Sequence, residues 1–112
     1  MSSIRLEKPW KPLNATEVDG LPGQLGVYQI ADDHEEIVFI GFAGGHSQFG
    51  LRSELAQHLE AAEGANHLFR CEVTMQYLTR HQELLMIFLA DHGRLPIENK
   101  EQPSSLGRLR LA

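Results

Sequence analysis

Two charged side chains in this sequence fall where apolar ones are expected. Around a helix, at about 100° per residue, Arg52 lies between Leu59 and Ala56 in the apolar stripe, away from the polar face of Glu54, Gln57 and Glu60. Glu83 is likewise surrounded by Met86, Ile87 and Ala90. A carboxylate taken out of water is costly, so Glu83 needs a cation, a shell of hydrogen bonds or an exit to water. A local role explains it equally well, because acids near a helix start are favoured by the dipole and the free N–H groups. For Arg52 the local explanation is a stem that snorkels past its neighbours while the head group stays wet. His58 falls about 20° from Leu51 on the same wheel and points at the core edge, where the local explanation is a hydrogen-bonded ring.

Other chemistry is poorly supported by spacing. The six histidines form no pair at the i, i+4 interval of a helical zinc site. Gly41-x-x-Gly44-Gly45 lacks the spacing and the lysine of a phosphate-binding loop and reads as a flexible turn. No Ser-His-Asp or Cys-His arrangement emerges. The leucine stripe and Met86 are assigned to the core.

The elements that must position these residues follow from periodicity. Residues 1–20 form an N-terminal extension lying across the surface, with Trp10 tucked in, and Leu21-Pro22-Gly23 turns the chain into the first strand. Residues 26–30 and 37–41 are β-branched and aromatic runs that read as an antiparallel hairpin around a solvated acidic loop. A symmetric loop places Ile30 opposite Ile37, Tyr28 opposite Phe39 and Gly26 opposite Gly41, making the two rings neighbours on one side of the sheet. A helix over about residues 50–63 ends at Gly64, and a half-exposed third strand alternates through Phe69, Cys71 and Val73. A second helix starts after Thr79, with Thr79 and Gln82 as a capping box, and stops at Gly93 and Pro96. Its body, Leu84 to Leu89, is apolar nearly all round, which predicts the most buried helix. The expected class is therefore α+β, in β-β-α-β-α order, with a tail over residues 100–112 that includes a short helix from Ser104 to Leu111.

The 112 residues suit one domain, and 42% apolar content is enough to close one core. The single cysteine, Cys71, excludes an intramolecular disulfide framework and a Cys-rich zinc site, and suits a reducing compartment. The sequence shows no secretory signal and no membrane-spanning run, so a cytoplasmic location is expected. A net charge of −5 argues against strong sequence-independent binding to nucleic acid, because that affinity comes from basic residues neutralising phosphates. DNA binding by this chain alone is expected to be weak, and a protein partner is the natural source of any further affinity.

Taken in order, Gly26-Val27-Tyr28, Phe39-Ile40-Gly41, Arg52, His58, Glu83 and the closing Pro96-x-x-Asn99 resemble the GIY-YIG nuclease family over residues 21–99. The resemblance implies a three-stranded antiparallel sheet flanked by helices, and hydrolysis of DNA phosphodiesters with one divalent ion, Mg²⁺ or Mn²⁺. It casts Tyr28 as general base or as the group orienting the attacking water, and Glu83 as the metal ligand. Arg52 becomes the hold on the scissile phosphate, and His58 an aid to proton transfer or phosphate contact. Asn99 ties the closing loop to the fold, while Gly26, Phe39 and Gly41 support the site. The chemistry is coherent. A hard cation prefers carboxylate and water, and a guanidinium fork matches phosphate oxygens. A phenol of pKa about 10 needs a nearby cation to act as a base at neutral pH.

Phe39 stands where the second motif carries tyrosine, and the expectation divides there. One branch is a metal-dependent nuclease or phosphodiesterase. The other is a non-catalytic protein- or nucleic-acid-binding module on the same scaffold. A third reading is an unrelated α+β interaction domain in which Tyr28 and Phe39 are ordinary sheet packing.

Overall fold

The central strand of this protein is buried along its whole length, and the rest of the fold is arranged to cover its two sides. The computed structural model describes residues 5–45, 47–62 and 64–101. In chain order the elements are β1 (Lys11–Pro12), α1 (Ala15–Asp19), β2 (Gly26–Ala31), β3 (Ile37–Ala43), α2 (Gly50–Ala62), β4 (Leu68–Val73), α3 (Tyr77–His92) and a 3₁₀ turn (Ile97–Glu101). The strands form one antiparallel sheet in the order β1-β4-β2-β3. The architecture is α+β, as the periodicity predicts, with the two-residue β1 added to the three expected strands. The expected short helix over residues 104–111 lies outside the described residues.

Side chains alternate across β2. Tyr28 and Ile30 join Phe39, Phe69, Leu51 and Leu55 in a core under α2. Val27 joins Ile40, Leu84, Leu85 and Phe88 in a second core under α3. Each fully buried large side chain contributes roughly 1.5–3 kcal/mol of transfer free energy. Residues 5–20 are part of this packing rather than a surface extension: Leu13 and Val18 enter the first core and Leu6 the second. The local cause is a cap. Asn14 accepts a hydrogen bond from the Glu17 N–H at 2.9 Å and starts α1, which carries Val18 inward.

The hairpin has the expected strands with a different register. Tyr28 faces Gly41, Ile30 faces Phe39 and Gly26 faces Ala43. The expected Tyr28–Phe39, Ile30–Ile37 and Gly26–Gly41 pairings are each displaced by two residues. A bulge between Ile30 and Ala31, where Ala31 pairs with Ile37 and Val38 has no partner, breaks the loop symmetry. The loop is held by Asp32, whose carboxylate accepts from the His34 and Glu36 N–H groups at 2.9 and 3.0 Å, while Glu35 takes φ 64°. A shift of two preserves the sheet face, so Tyr28 and Phe39 remain on one side as diagonal neighbours.

α3 differs from expectation at its start and on its outer face. It begins at Tyr77 after Gln76, which makes no side-chain cap, so Thr79 and Gln82 do not form the capping box. Instead Thr74 Oγ1 accepts from the Gln76 N–H at 3.1 Å and turns the chain in from β4. Only Leu84, Leu85 and Phe88 are buried on this helix, whereas Leu78, Met86 and Leu89 are exposed. The near-continuous apolar run therefore does not make a fully buried helix, because the sheet covers one side only, and Met86 is a surface residue at 66% exposure. The helix stops as expected: Gly93 takes φ 73° and donates to the Leu89 carbonyl at 2.8 Å.

Candidate functional site

Tyr28 is 2% exposed, and its hydroxyl lies 2.9 Å from His58 Nε2. The phenol, His58 and Phe39 form a ring cluster with centroid separations of 5.4 Å (Tyr28–His58), 4.7 Å (Phe39–His58) and 6.0 Å (Tyr28–Phe39). Gly41 makes the cluster fit. A Cβ at that position would stand 2.5 Å from the Tyr28 hydroxyl and 2.6 Å from Phe39 Cε2. Gly26 meets a similar constraint at the other end, where a Cβ would lie 2.1 Å from the Glu72 carbonyl oxygen of β4. Both glycines are thus required by close approach of neighbouring atoms.

Electrostatics set the protons in this cluster. Burial, and then the nearby Glu54 carboxylate through its charge and a hydrogen bond with the phenol, push Tyr28 well above its ordinary value. Burial lowers His58, with Glu54 opposing and His67 reinforcing the shift. Both directions favour a neutral pair, with the Tyr28 hydroxyl and His58 Nε2 sharing a hydrogen bond whose donor is set by the imidazole tautomer. Glu54 in turn accepts from Ser47 Oγ at 2.7 Å. From the sequence alone, Glu54 belongs to the polar face of its helix and Ser47 carries no signal. The available signal was that Glu54 and His58 stand four residues apart on one helix, which makes them neighbours on its surface.

The other two candidates stand elsewhere. Arg52 is exposed, and its guanidinium carbon sits 6.0 Å from the Phe49 ring centroid in an open groove between α1 and α2 shared with Val18, Asp19, Leu59 and Glu60. Its stem follows apolar neighbours while its head reaches water, as snorkelling requires. Glu83 lies on α3, across the sheet from Tyr28. Its Oε1 accepts from Arg80 Nη1 at 2.6 Å. The same guanidinium grips Glu72 of β4, with Nε 3.1 Å from Glu72 Oε2 and Nη2 3.2 Å from Oε1. Glu83 thus obtains its cation from the protein itself, and its side chain stays 42% exposed. The carboxylates at this position are already bridged by a guanidinium, and among the described residues no group of three or more His, Cys, Asp or Glu is placed to hold a metal. Mg²⁺ or Mn²⁺ does not fit here without displacing Arg80.

Asn99 is 5% exposed, and its amide spans the free edge of β3. Oδ1 accepts from the Ile40 N–H at 2.9 Å and Nδ2 donates to the Ile40 carbonyl at 3.0 Å. His81 Nε2 lies 3.1 Å from the same carbonyl. Asn99 therefore ties the closing turn to the middle of the second glycine-containing motif, and acts there as a one-residue strand.

A family model described as a domain of unknown function, DUF7508, matches residues 4–92. The chain belongs to this family. No curated protein and no solved structure matches it. The DUF7508 match begins before β1 and ends with the last residue of α3. It contains residues 4–20 as well as Tyr28, Arg52, Glu54, His58 and Glu83. Asn99 lies beyond the DUF7508 match. No helix among the described residues is long and apolar enough to cross a membrane.

Proposed function

We propose that this chain is a non-catalytic, protein-binding module built on a scaffold similar to that of GIY-YIG nucleases. One observation carries the proposal. The three groups that phosphodiester hydrolysis would need together, Tyr28, Arg52 and Glu83, occupy three separate neighbourhoods, with the sheet between the phenol and the carboxylate. Tyr28 is sealed against His58 and held protonated by burial. Glu83 is spent on Arg80. A protein partner is favoured over DNA by the net charge of −5 and by the exposed apolar run of Val73, Met75, Leu78, Met86 and Leu89. Exposed methionines suit adaptable protein contacts.

The nuclease reading keeps one observation in its favour: Tyr28, Phe39 and His58 do meet, over the glycine of the second motif. The two readings separate in a cleavage assay on plasmid and branched DNA with Mg²⁺ or Mn²⁺, paired with metal titration calorimetry. The binding-module reading expects no nicked product and no metal-dependent heat. Cleavage that depends on the metal and disappears in Glu83→Ala would overturn it in favour of hydrolysis.

A further inference from the structure

On the α3 side of the sheet, away from the Tyr28 cluster, the N-terminal segment, β2, β4 and α3 enclose a cavity of about 220 Å³. Its floor is apolar, formed by Leu84, Ile87, Phe88 and Ile37. Two polar side chains reach it from opposite positions on paired strands, Gln29 of β2 and Arg70 of β4. Arg70 Nε donates to Gln29 Oε1 at 2.7 Å. An arginine Nε–H can only donate, so this bond fixes the orientation of the Gln29 amide. Gln29 is 4% exposed, and among the described residues nothing accepts from its Nε2. That nitrogen is not sealed away from solvent, so it stays free to donate to a ligand in the cavity.

Arg70 is in a similar state. Its Nη1 donates to the Lys8 carbonyl at 3.2 Å, and its plane lies over the Trp10 ring at 4.1 Å. Nη2 has no hydrogen-bond partner among the described residues, and no carboxylate pairs with this guanidinium there. The other charges on the rim largely cancel, because Arg5 holds Asp91 through both carboxylate oxygens at 2.8 and 2.9 Å. Gln29 and Arg70 therefore bring free N–H donors and a positive charge, tempered at longer range by Glu35 and Glu7, to a cavity with apolar lining.

We propose that this cavity binds a small organic monocarboxylate. Its oxygens would sit on Gln29 Nε2 and Arg70 Nη2, and its short aliphatic body on Leu84, Ile87 and Phe88. The volume lies below the roughly 300–1,000 Å³ of pockets for drug-sized ligands, so the ligand is a compact one. Inorganic phosphate would satisfy the donors and leave the apolar floor bare. A neutral amide would fill the floor and leave the guanidinium unpaired. This site stands apart from the protein-binding reading and does not depend on it.

Trp10, the only tryptophan in the chain, is a built-in reporter because it stacks on Arg70. Full-length protein is titrated with hexanoate, hexanamide and inorganic phosphate, following Trp10 fluorescence and the Gln29 side-chain amide resonances. Hexanoate is expected to give a saturable change in both signals, at least about tenfold tighter than either comparison compound, as the loss of a charge-assisted hydrogen bond implies. Gln29→Leu should weaken hexanoate by about tenfold. Ile87→Trp fills the cavity from a half-buried helix position and should abolish the response in a protein that still melts cooperatively. The proposal is overturned if hexanoate gives no saturable change, if phosphate or hexanamide matches it, or if folded Ile87→Trp binds it unchanged.

Discussion

At the scale of single residues, the Tyr28 hydroxyl and the Gly41 hydrogen do different work and fail differently. Tyr28→Phe keeps the ring in its core and removes the hydroxyl's contacts with His58 and Glu54. Urea denaturation should show a loss of about 1 kcal/mol. Gly41→Ala puts a methyl group onto the Tyr28 and Phe39 rings. Neither ring can withdraw from a packed core, so the expected cost is about 1–3 kcal/mol. A Gly41→Ala protein as stable as the parent would mean that the rings do not lie over this position. Protonation adds a second residue-scale prediction. Burial lowers both His58 and His81, with the contact to the Ile40 carbonyl partly opposing the shift at His81. A histidine lowered in the folded state binds its proton first in the unfolded chain. Its contribution is complete above the ordinary histidine range and is lost as pH falls through that value towards the folded one. Melting temperature should therefore drop between about pH 6.5 and pH 5. The slope should be shallower in His58→Gln or His81→Gln, and a parent whose melting temperature is flat across that window would contradict both assignments.

At the scale of elements, the edge of β3 depends on a residue nearly sixty positions away in sequence. Asn99 supplies an acceptor to the Ile40 N–H and a donor to its carbonyl, as a neighbouring strand would. Asn99→Ala leaves that N–H without a partner and should cost about 1–3 kcal/mol, with faster amide exchange at Ile40. Asn99→Asp keeps the acceptor, and the carbonyl retains the His81 contact, so its cost should be the smaller. The same element explains what was legible beforehand. The hairpin strands were readable because their residues are β-branched and aromatic. Their register was not, because a bulge at Ile30 depends on how Asp32 folds the loop back onto its own backbone. Tyr28 and Phe39 stay on one face although their direct pairing is lost, since a slip of two keeps the face, and His58, expected only at the core edge, packs against both. Glu83 was misplaced as a partner of Tyr28 because helical periodicity gives the face of a helix but not the side of the sheet on which that helix packs. The capping box at Thr79 was a valid local pattern that lost to Thr74, which starts the helix earlier from the end of β4.

At the scale of the whole molecule, the separation of Glu83 from Tyr28 depends on how α3 is rolled against the sheet. In the observed orientation Leu84 is 2% exposed in the core with Val27 and Ile40, while Met86, two residues later, is 66% exposed. Leu84→Ala should therefore cost about 2–5 kcal/mol, and Met86→Lys no more than about 0.5 kcal/mol. The same roll places Glu83 beside Arg80 and Glu72, so Glu83→Ala removes one partner of a partly wet ion pair. Its cost should stay within about 1 kcal/mol. Arg80→Ala should cost more than Glu83→Ala, because it leaves two neighbouring carboxylates to repel each other on half-buried ground. Denaturant midpoints of these four proteins test the arrangement as a set. The order Leu84→Ala worst, Arg80→Ala next, and Glu83→Ala and Met86→Lys near the parent follows from one orientation of one helix. If Met86→Lys is instead as damaging as Leu84→Ala, α3 is rolled differently, Glu83 need not face Arg80, and the separation of Glu83 from the Tyr28 cluster loses its basis.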